Sequence, residues 1–268
     1  MTWKQITPRS HAKTILNKNT GQKHSNRLLI GTPTTGTVRM EWVAARYGQT
    51  IPTNWSMVTM NQFMSAFYPL NYSVADAQNL IVKAAIEMDM EWLMLIESDN
   101  VIPLDTFIRF NEYMREGKVP VVSGLYFTKS EPAEPMVYRG RGNSFYTDWK
   151  MGDKVWCDGV PTGTLLIHTS ILREMWKESA EYMAGNVLTR RVFNTPSTMW
   201  TDPENTDFFA TVSGTSDLDW CTRVMEGGYF KKAGWPDYQK KQFPFLVDTN
   251  IFVKHVAPDG TMYPLWAK

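Results

Sequence analysis

The stretch EWLMLIESDN at residues 91–100 gives the strongest indication of the fold in this sequence. Five consecutive apolar residues lead directly into two acids, Glu97 and Asp99, with one small residue between them. Such a run is typical of a strand buried on both faces of an α/β sheet. Because open α/β sheets bind ligands at the carboxyl ends of their strands, the two acids could hold a divalent cation against substrate phosphates. The alternative is a strand that runs into an Asp-Asn turn.

Composition indicates an ordinary soluble globular protein. The 268 residues are 43% hydrophobic and 21% charged, which suffices for a substantial core. The net charge of +1 predicts no strong electrostatic partner for the whole chain. The N-terminus lacks the apolar region of a signal peptide, and no apolar run approaches the length of a membrane span. Cys157 and Cys221 are far apart, without a CxxC motif, which favours a reducing compartment and a cytoplasmic protein.

The first residues of the chain differ in charge from the rest. Residues 1–27 contain no acid and few apolar residues, and their basic residues are Lys4, Arg9, Lys13, Lys18, Lys23 and Arg27. This pattern predicts a basic, flexible N-terminal arm over residues 1–25. The arm could contact phosphate groups of a nucleotide, a nucleic acid or a lipid head group, or it could be a solvated leader.

Up to about residue 125, predicted strands and helices alternate. The run at residues 27–32 feeds a Gly/Thr/Pro loop that is neither GxGxxG nor a P-loop, so dinucleotide and Walker-type chemistry are not indicated. Ser73 is a plausible helix cap, and Gly117 a helix stop. We predict strands at residues 27–32, 56–60, 92–96 and 119–125, helices at 37–47, 74–88 and 104–115, and a loop at 61–71. The alternation implies a mostly parallel sheet covered on both sides.

The second half of the chain is less regular. We predict short strands at residues 136–139, 154–157 and 165–167, a flexible loop at 158–164, helices at 170–179 and 215–227, a long surface loop at 184–206, and a strand at 245–256. Asp217 and Asp219 fall in the first turn of a predicted helix, where acids are favourable for electrostatic reasons alone. His255 lies at a strand end, where a lone histidine is more often structural than a ligand.

In this order, the features resemble the GT-A glycosyltransferases, most closely the family 2-like enzymes that use nucleotide-sugar donors. The resemblance covers roughly residues 27–257, and the ordered set is more specific than any single motif. It implies an α/β, GT-A (Rossmann-like) fold with a mostly parallel central sheet and helices on both faces. Residues 26–268 would form one domain, with a nucleotide-sugar-binding half at 26–125 and an acceptor-binding half at 126–268.

The resemblance also implies the roles of individual residues. Glu97-Ser98-Asp99 stands at the family's DxD motif, with Asp99 as a direct ligand of Mn²⁺ or Mg²⁺ and Glu97 acting through water or on the ribose. The metal ligands would be Asp99, Glu97 and His255. The donor-binding residues would be Thr32, Pro33, Thr34, Glu97, Ser98, Asp99, Gly163 and Thr164.

The catalytic carboxylate is implied by the segment TSDLDWC. Asp217 falls on the family's catalytic aspartate, but Ser216 replaces the glutamate that usually precedes it, so the choice between Asp217 and Asp219 stays open. A carboxylate near the anomeric carbon can deprotonate the acceptor hydroxyl as it attacks, which inverts the configuration. A divalent ion that bridges both phosphates neutralises the charge of the leaving group.

The resulting prediction is a metal-dependent hexosyl- or pentosyltransferase that moves a sugar from a nucleotide-diphosphate sugar to an acceptor hydroxyl. An Asp base favours inversion, and retention stays open as the alternative. The acceptor could be a glycan, a lipid-linked glycan or a modified nucleic acid. One alternative is a nucleotidyltransferase acting on sugar phosphates, which usually has a basic Gly-rich loop that TPTTGT lacks. Another is a non-catalytic carbohydrate- or nucleic-acid-binding protein, against which the strand–helix alternation around acids argues.

Overall fold

A computed structural model describes residues 15–16, 23–24, 28–52, 67–140, 145–201 and 209–266. The predicted strand at 56–60, part of the predicted loop at 61–71 and most of the predicted arm at 1–25 lie outside these residues. Within the described ranges, no helix combines the length and the apolar character that crossing a membrane requires.

The elements are numbered in chain order. The strands are β1 (Ile15–Leu16), β2 (Lys23–His24), β3 (Leu28–Gly31), β4 (Trp92–Ile96), β5 (Asn100–Val101), β6 (Val121–Leu125), β7 (Lys154–Cys157), β8 (Thr164–His168), β9 (Glu181–Ala184), β10 (Val187–Arg190), β11 (Ser197–Thr201), β12 (Phe209–Ser213), β13 (Phe245–Phe252), β14 (Lys254–Val256) and β15 (Met262–Tyr263). The helices are α1 (Met40–Tyr47), α2 (Val74–Glu87), α3 (Thr106–Glu116), α4 (Thr169–Glu178), α5 (Ser216–Glu226), α6 (Tyr229–Lys232) and α7 (Pro236–Gln239).

A six-stranded mixed sheet forms the centre, in the order β3-β4-β8-β6-β13-β7. The strands β3, β4, β6 and β13 run in one direction, so the sheet is mostly parallel by strand direction, as predicted. β7 and β8 run against them. β8 lies between β4 and β6, so β4 and β6 do not pair with each other. Because β8 comes from the second half of the chain, both halves contribute strands to the same sheet.

Both faces of the sheet are covered, which confirms the prediction of helices on both sides. β4 is buried along its whole length, and its side chains alternate between two apolar clusters. Leu93 and Leu95 belong to the cluster that also contains residues of α2, α4 and α5. Trp92, Met94 and Ile96 belong to the cluster that contains residues of α1 and α3. The opening sequence motif is therefore a central strand with two apolar faces.

Local signals set most helix ends. Ser73 caps α2 by accepting a hydrogen bond from the Asp76 amide at 3.3 Å. Gly117 ends α3 in the left-handed region, with φ of 59°, which favours glycine. α1 and α3 begin later than the predicted residues 37 and 104. For α3 the reason is a turn, in which the amide and the hydroxyl of Thr106 both donate to the carbonyl of Pro103.

Two predictions for the middle of the chain are wrong. The predicted strand at 136–139 forms only isolated bridges, in which Tyr138 pairs with Phe145 and Gly159. The predicted surface loop at 184–206 contains β10 and β11, which pair antiparallel with β9 and β12. The cause at β9 and β10 is a two-residue Gly185-Asn186 turn, because Ala184 pairs directly with Val187. The φ of 57° at Gly185 is the conformation that tight hairpins require at this position.

The predicted strand at 245–256 is divided between two sheets. β13 belongs to the central sheet, and its register shifts between Asp248 and Phe252. After Val253 the chain enters β14, in a three-stranded sheet of order β15-β14-β5. The register places His255 opposite Asn100. This bend therefore brings the last predicted metal ligand next to the acidic turn that follows β4.

Candidate active site

The acidic turn after β4 is fixed by its own backbone. The Glu97 amide donates to the carbonyl of Gly163 at 2.8 Å, and the Asn100 amide donates to the carbonyl of Glu97 at 3.1 Å. The indole of Trp42 on α1 donates to the same Glu97 carbonyl at 2.9 Å. The turn and the acidic site are thus the same structure, because the turn presents both acids at the carboxyl edge of the sheet.

One carboxylate oxygen of Asp99 faces both the ammonium of Lys129 and the imidazole of His255. Its Oδ2 lies 2.5 Å from Nζ of Lys129 and 3.4 Å from Nε2 of His255. Burial alone would raise the pKa of Asp99, but the hydrogen bonds and charges of His255 and Lys129 outweigh it and lower the pKa to about 2. The side chain remains 37% exposed, so it is open to solvent and to a ligand. Asp99 is therefore a charged and accessible carboxylate.

His255 is oriented by a backbone carbonyl. Its Nδ1 lies 2.8 Å from the carbonyl oxygen of Phe127, and because a carbonyl only accepts, Nδ1 carries the hydrogen. The ring also meets that of Tyr126 edge to face, with the centroids 5.3 Å apart. Nε2 is then the nitrogen directed at Asp99. Histidines that bind metals are commonly held in this way, with the other ring nitrogen donating to a carbonyl.

Glu97 has a different environment from Asp99. Its Oε1 accepts a hydrogen bond from the hydroxyl of Thr162 at 3.1 Å, and that hydroxyl accepts one from Nε2 of Gln78 at 2.9 Å. Burial, together with the nearby carboxylates of Asp99 and Asp217, raises the pKa of Glu97 from its usual 4.5 to about 8. Glu97 therefore holds its proton more tightly than an ordinary glutamate, whereas Asp99 gives up its proton more readily than an ordinary aspartate.

Gly163 and Thr164 form the wall next to these acids. Residues 158–163 form a loop, as predicted, but this loop is buried, and Thr164 already belongs to β8. The flexibility of the loop stays a prediction. A Cβ on Gly163 would lie 2.3 Å from Nδ2 of Asn100 and 2.5 Å from the hydroxyl of Tyr126, so only glycine fits. The hydroxyl of Thr164 donates to the carbonyl of Gly163, which leaves it turned toward the backbone.

The structure separates the two acids of α5. Asp217 accepts a hydrogen bond from the Leu218 amide at 2.8 Å, yet burial raises its pKa, and its charge acts on Glu97. Asp219 instead lies 3.5 Å from the guanidinium of Arg223, and burial raises its pKa against that charge. Asp217 therefore acts electrostatically on Glu97 in the acidic turn, whereas Asp219 forms an ion pair with Arg223 within α5.

The predicted donor-binding residues 32–34 follow β3. The register pairs Gly31 with Leu95, so Thr32 follows β3 beside the end of β4. Thr32 and Pro33 are buried, and Thr32 donates its amide to the carbonyl of Phe67 at 3.1 Å. Within the described part of the chain, the Thr32 hydroxyl is buried without a hydrogen-bond partner. These residues line the same edge of the sheet as the acids.

Of the three predicted metal ligands, Asp99 and His255 face each other, but Glu97 does not join them. Among the described side chains, no group of three His, Cys, Asp or Glu residues forms a ready-made metal site. Asp99 and His255 do face each other, while Glu97 is bonded to Thr162. A carboxylate suits Mg²⁺ or Mn²⁺, which can take its remaining ligands from water and phosphate oxygens, whereas an imidazole is more typical of softer transition metals. Asp99 therefore fits such an ion, and His255 fits it less closely than a second carboxylate would.

Sequence reasoning missed Gln78, Thr162 and Lys129. Gln78 is fully buried on the apolar side of α2, and a glutamine in such a stripe is a signal for a polar contact. Thr162 falls in the predicted loop at 158–164, where nothing distinguishes it from its neighbours. Lys129 follows β6 with no motif around it, so nothing in the sequence places it beside Asp99.

Comparison with known proteins informs the fold. No family model and no curated protein sequence matches the chain. The crystal structure of A197 from STIV matches with a TM-score of 0.50 and 14% identity, covering 88% of this chain and 92% of A197. At that identity the similarity indicates a shared fold over most of the chain.

Structures of S. aureus TarS match in part. The complex of TarS 1-349 with UDP has a TM-score of 0.33 and 12% identity, covering 55% of this chain and 48% of that one. The complex with UDP-GlcNAc has a TM-score of 0.35 and 13% identity, covering 55% and 47%. Similarity of this extent establishes neither a common fold nor a common activity.

Proposed function

We propose that this protein is a glycosyltransferase that moves a sugar from a nucleotide-diphosphate donor to an acceptor hydroxyl, at the carboxyl edge of the central sheet. One observation carries the proposal. The charged carboxylate of Asp99 faces Nε2 of His255, whose other nitrogen is anchored on a carbonyl, while the buried carboxyl of Asp217 acts on the same turn. A charged carboxylate facing an imidazole, next to a second carboxyl, suits transfer from a phosphate leaving group.

The donor would lie along the end of β3 and the acidic turn. Asp99 and His255 would hold a divalent ion, which when bound neutralises the charge that develops on the nucleoside diphosphate. Thr32 would offer its buried hydroxyl to the nucleoside, since this atom has no hydrogen-bond partner within the described residues. Gly163 would support this site indirectly, because only glycine lets Asn100 and Tyr126 pack against the backbone beside the acidic turn.

Asp217 would act as the general base. It would take the proton of the acceptor hydroxyl while the acceptor oxygen bonds to the anomeric carbon and the bond to the diphosphate breaks. Direct displacement of this kind inverts the configuration. Burial raises the pKa of Asp217, which makes it a stronger base than an exposed aspartate. Glu97, with its pKa of about 8, would serve as a hydrogen-bonding group beside it.

A donor screen tests the proposal. Hydrolysis of a panel of nucleotide sugars is measured with Mn²⁺, Mg²⁺ or EDTA, for the wild type, Asp99→Ala and the control Asp237→Ala. Asp237 is exposed on α7 and pairs only loosely with Lys240. We expect hydrolysis of at least one donor, its loss in EDTA, and a decrease of about 100-fold or more in Asp99→Ala alone. Turnover that ignores both EDTA and Asp99→Ala, or a wild type inert toward every donor, would overturn the proposal.

A further inference from the structure

The ammonium of Lys129 contacts the carboxylate oxygen of Asp99 that a metal ion would bind. Its ammonium lies 2.5 Å from Oδ2, the same oxygen that faces His255. A divalent ion binds a carboxylate oxygen at about 2.0–2.2 Å, so an ion on Oδ2 would be very close to the ammonium. Two cations at such a distance repel each other strongly in a partly buried site. Lys129 and a metal ion therefore compete for this oxygen.

The turn that carries Lys129 is well ordered by its own hydrogen bonds. Thr128 donates its amide to the carbonyl of Glu134 at 2.9 Å, and the Glu134 amide donates back to the Thr128 hydroxyl at 2.9 Å. Phe127 and Pro135 form a bridge at the base of this turn. The carbonyl that orients His255 belongs to Phe127, so the same turn positions both Lys129 and His255 beside Asp99.

We propose that Lys129 is a ligand of the donor diphosphate, paired with Asp99 in the free protein and released to the phosphates when a divalent ion takes that carboxylate. The inference rests on the proposed function, because it assigns a further residue to the same donor site. A lysine ammonium has three donors on a flexible stem, and it suits the oxygens of a diphosphate as a point charge. The exchange keeps Asp99 neutralised at each stage, first by the ammonium and then by the ion.

The test compares Lys129→Met with Lys232→Met. Lys232 is a matched control, since its ammonium also pairs with a carboxylate, that of Glu178, at 2.6 Å. Mn²⁺ binding is measured by electron paramagnetic resonance without any anion. Binding of inorganic pyrophosphate, supplied as its Mn²⁺ complex, is then measured by calorimetry. Circular dichroism and thermal melting verify that each variant is folded.

We expect opposite shifts in the two measurements. Lys129→Met should bind Mn²⁺ alone about 3- to 30-fold more tightly, because the competing charge is gone. It should bind Mn²⁺-pyrophosphate about 10-fold more weakly, because a phosphate ligand is lost. Lys232→Met should match the wild type in both. Unchanged Mn²⁺ affinity would overturn the competition, and unchanged pyrophosphate affinity would overturn the role of Lys129 as a phosphate ligand.

An Asp99→Ala variant distinguishes this failure from failure of the proposed function. If wild type binds Mn²⁺-pyrophosphate, Asp99→Ala does not, and Lys129→Met equals wild type, the donor site stands and only the assignment of Lys129 is wrong. If neither wild type nor Asp99→Ala binds the complex, the proposed function and the inference fall together.

Discussion

Two histidines lie at opposite ends of the central sheet, and their surroundings differ sharply. His168 ends β8 and pairs with Trp92 at the start of β4, where its ring packs edge to face on Trp92 at 4.8 Å and on Trp235 at 5.3 Å. Burial, aided by the charge of Arg173, lowers its pKa to about 4. His255 instead faces the charged Asp99. The two residues are of the same type, so the contrast between them lies in their partners, which are aromatic rings for His168 and a carboxylate for His255.

The hydrogen bonding of the two ends differs in the same way. Beside His168, the buried hydroxyl of Thr169 donates to the carbonyls of Met90 and Glu91. At the other end, within the described residues, Thr32 Oγ1, Asn100 Oδ1 and Gln78 Oε1 are buried without hydrogen-bond partners. Since such atoms are costly unless a ligand or water meets them, these three favour ligand binding at the carboxyl edge, although Gln239 Oε1, on the helix that follows Trp235, is also buried without a partner among the described residues.

The largest expected effect is at Asp217. Replacing it with Asn removes the proposed base but keeps the shape, so sugar transfer should fall by about 10²- to 10⁴-fold while donor binding persists. The measurement is transfer rate and donor affinity, with Asp219→Asn as the matched control on the same helix. An active Asp217→Asn beside an inactive Asp219→Asn would mean that the base is Asp219.

The two histidines can be compared directly. His255→Gln should weaken binding of Mn²⁺ in the presence of donor by about 10- to 100-fold, because one proposed ligand is removed. His168→Gln should leave metal binding as it is, since that ring packs among aromatic side chains. Paramagnetic resonance titration measures both. Equal losses of Mn²⁺ affinity in the two variants would show that His255 has no special role in metal binding.

A smaller effect concerns stability and pH at His168. Its pKa is about 4 in the folded protein, against the usual 6.5 of an exposed histidine, so below pH 6.5 the unfolded chain takes up a proton that the folded protein refuses. The free energy of unfolding should therefore fall as the pH drops from 6.5 to 4, by about 1–2 kcal/mol for this partly exposed ring. Urea unfolding of wild type and His168→Phe across that range measures it. The two pH profiles should differ in slope there, and parallel profiles would contradict the prediction.

The smallest effect is at Trp235. Its indole donates to the hydroxyl of Ser170 at 3.1 Å, which Trp235→Phe removes while keeping an aromatic ring near His168. The expected cost is about 1 kcal/mol of unfolding free energy, measured in urea, with no change in donor hydrolysis. A loss of hydrolysis in a folded Trp235→Phe variant would connect the two ends of the sheet.

The elements that the sequence predicted correctly are those set by residues close together in the chain. β4 followed from five apolar residues in a row, α2 from Ser73 at its start, and the end of α3 from Gly117. The cluster of Asp99 with His255 agrees with the residues that the family resemblance pointed to, and their roles as ligands stay predictions.

The rest depends on contacts between distant segments. No local pattern states that β8 enters the sheet between β4 and β6, because strand order is decided by packing of the whole chain. The hairpin of β9 and β10 was hidden in a Gly- and Asn-rich stretch, although a two-residue Gly-Asn turn is a recognisable hairpin signal. Lys129 reaches Asp99 only through the turn at residues 127–135, which the sequence does not reveal.

The antiparallel insertion of β8 has a consequence for synthesis on the ribosome. Until residue 168 has left the ribosome, β4 and β6 have been made but β8, the strand that pairs with both of them, is missing. Unpaired strand edges in a partly made chain are open to wrong pairing. The first half of this protein therefore cannot complete its sheet as a separate folding unit, and a fragment that ends near residue 125 should aggregate where the longer chain folds.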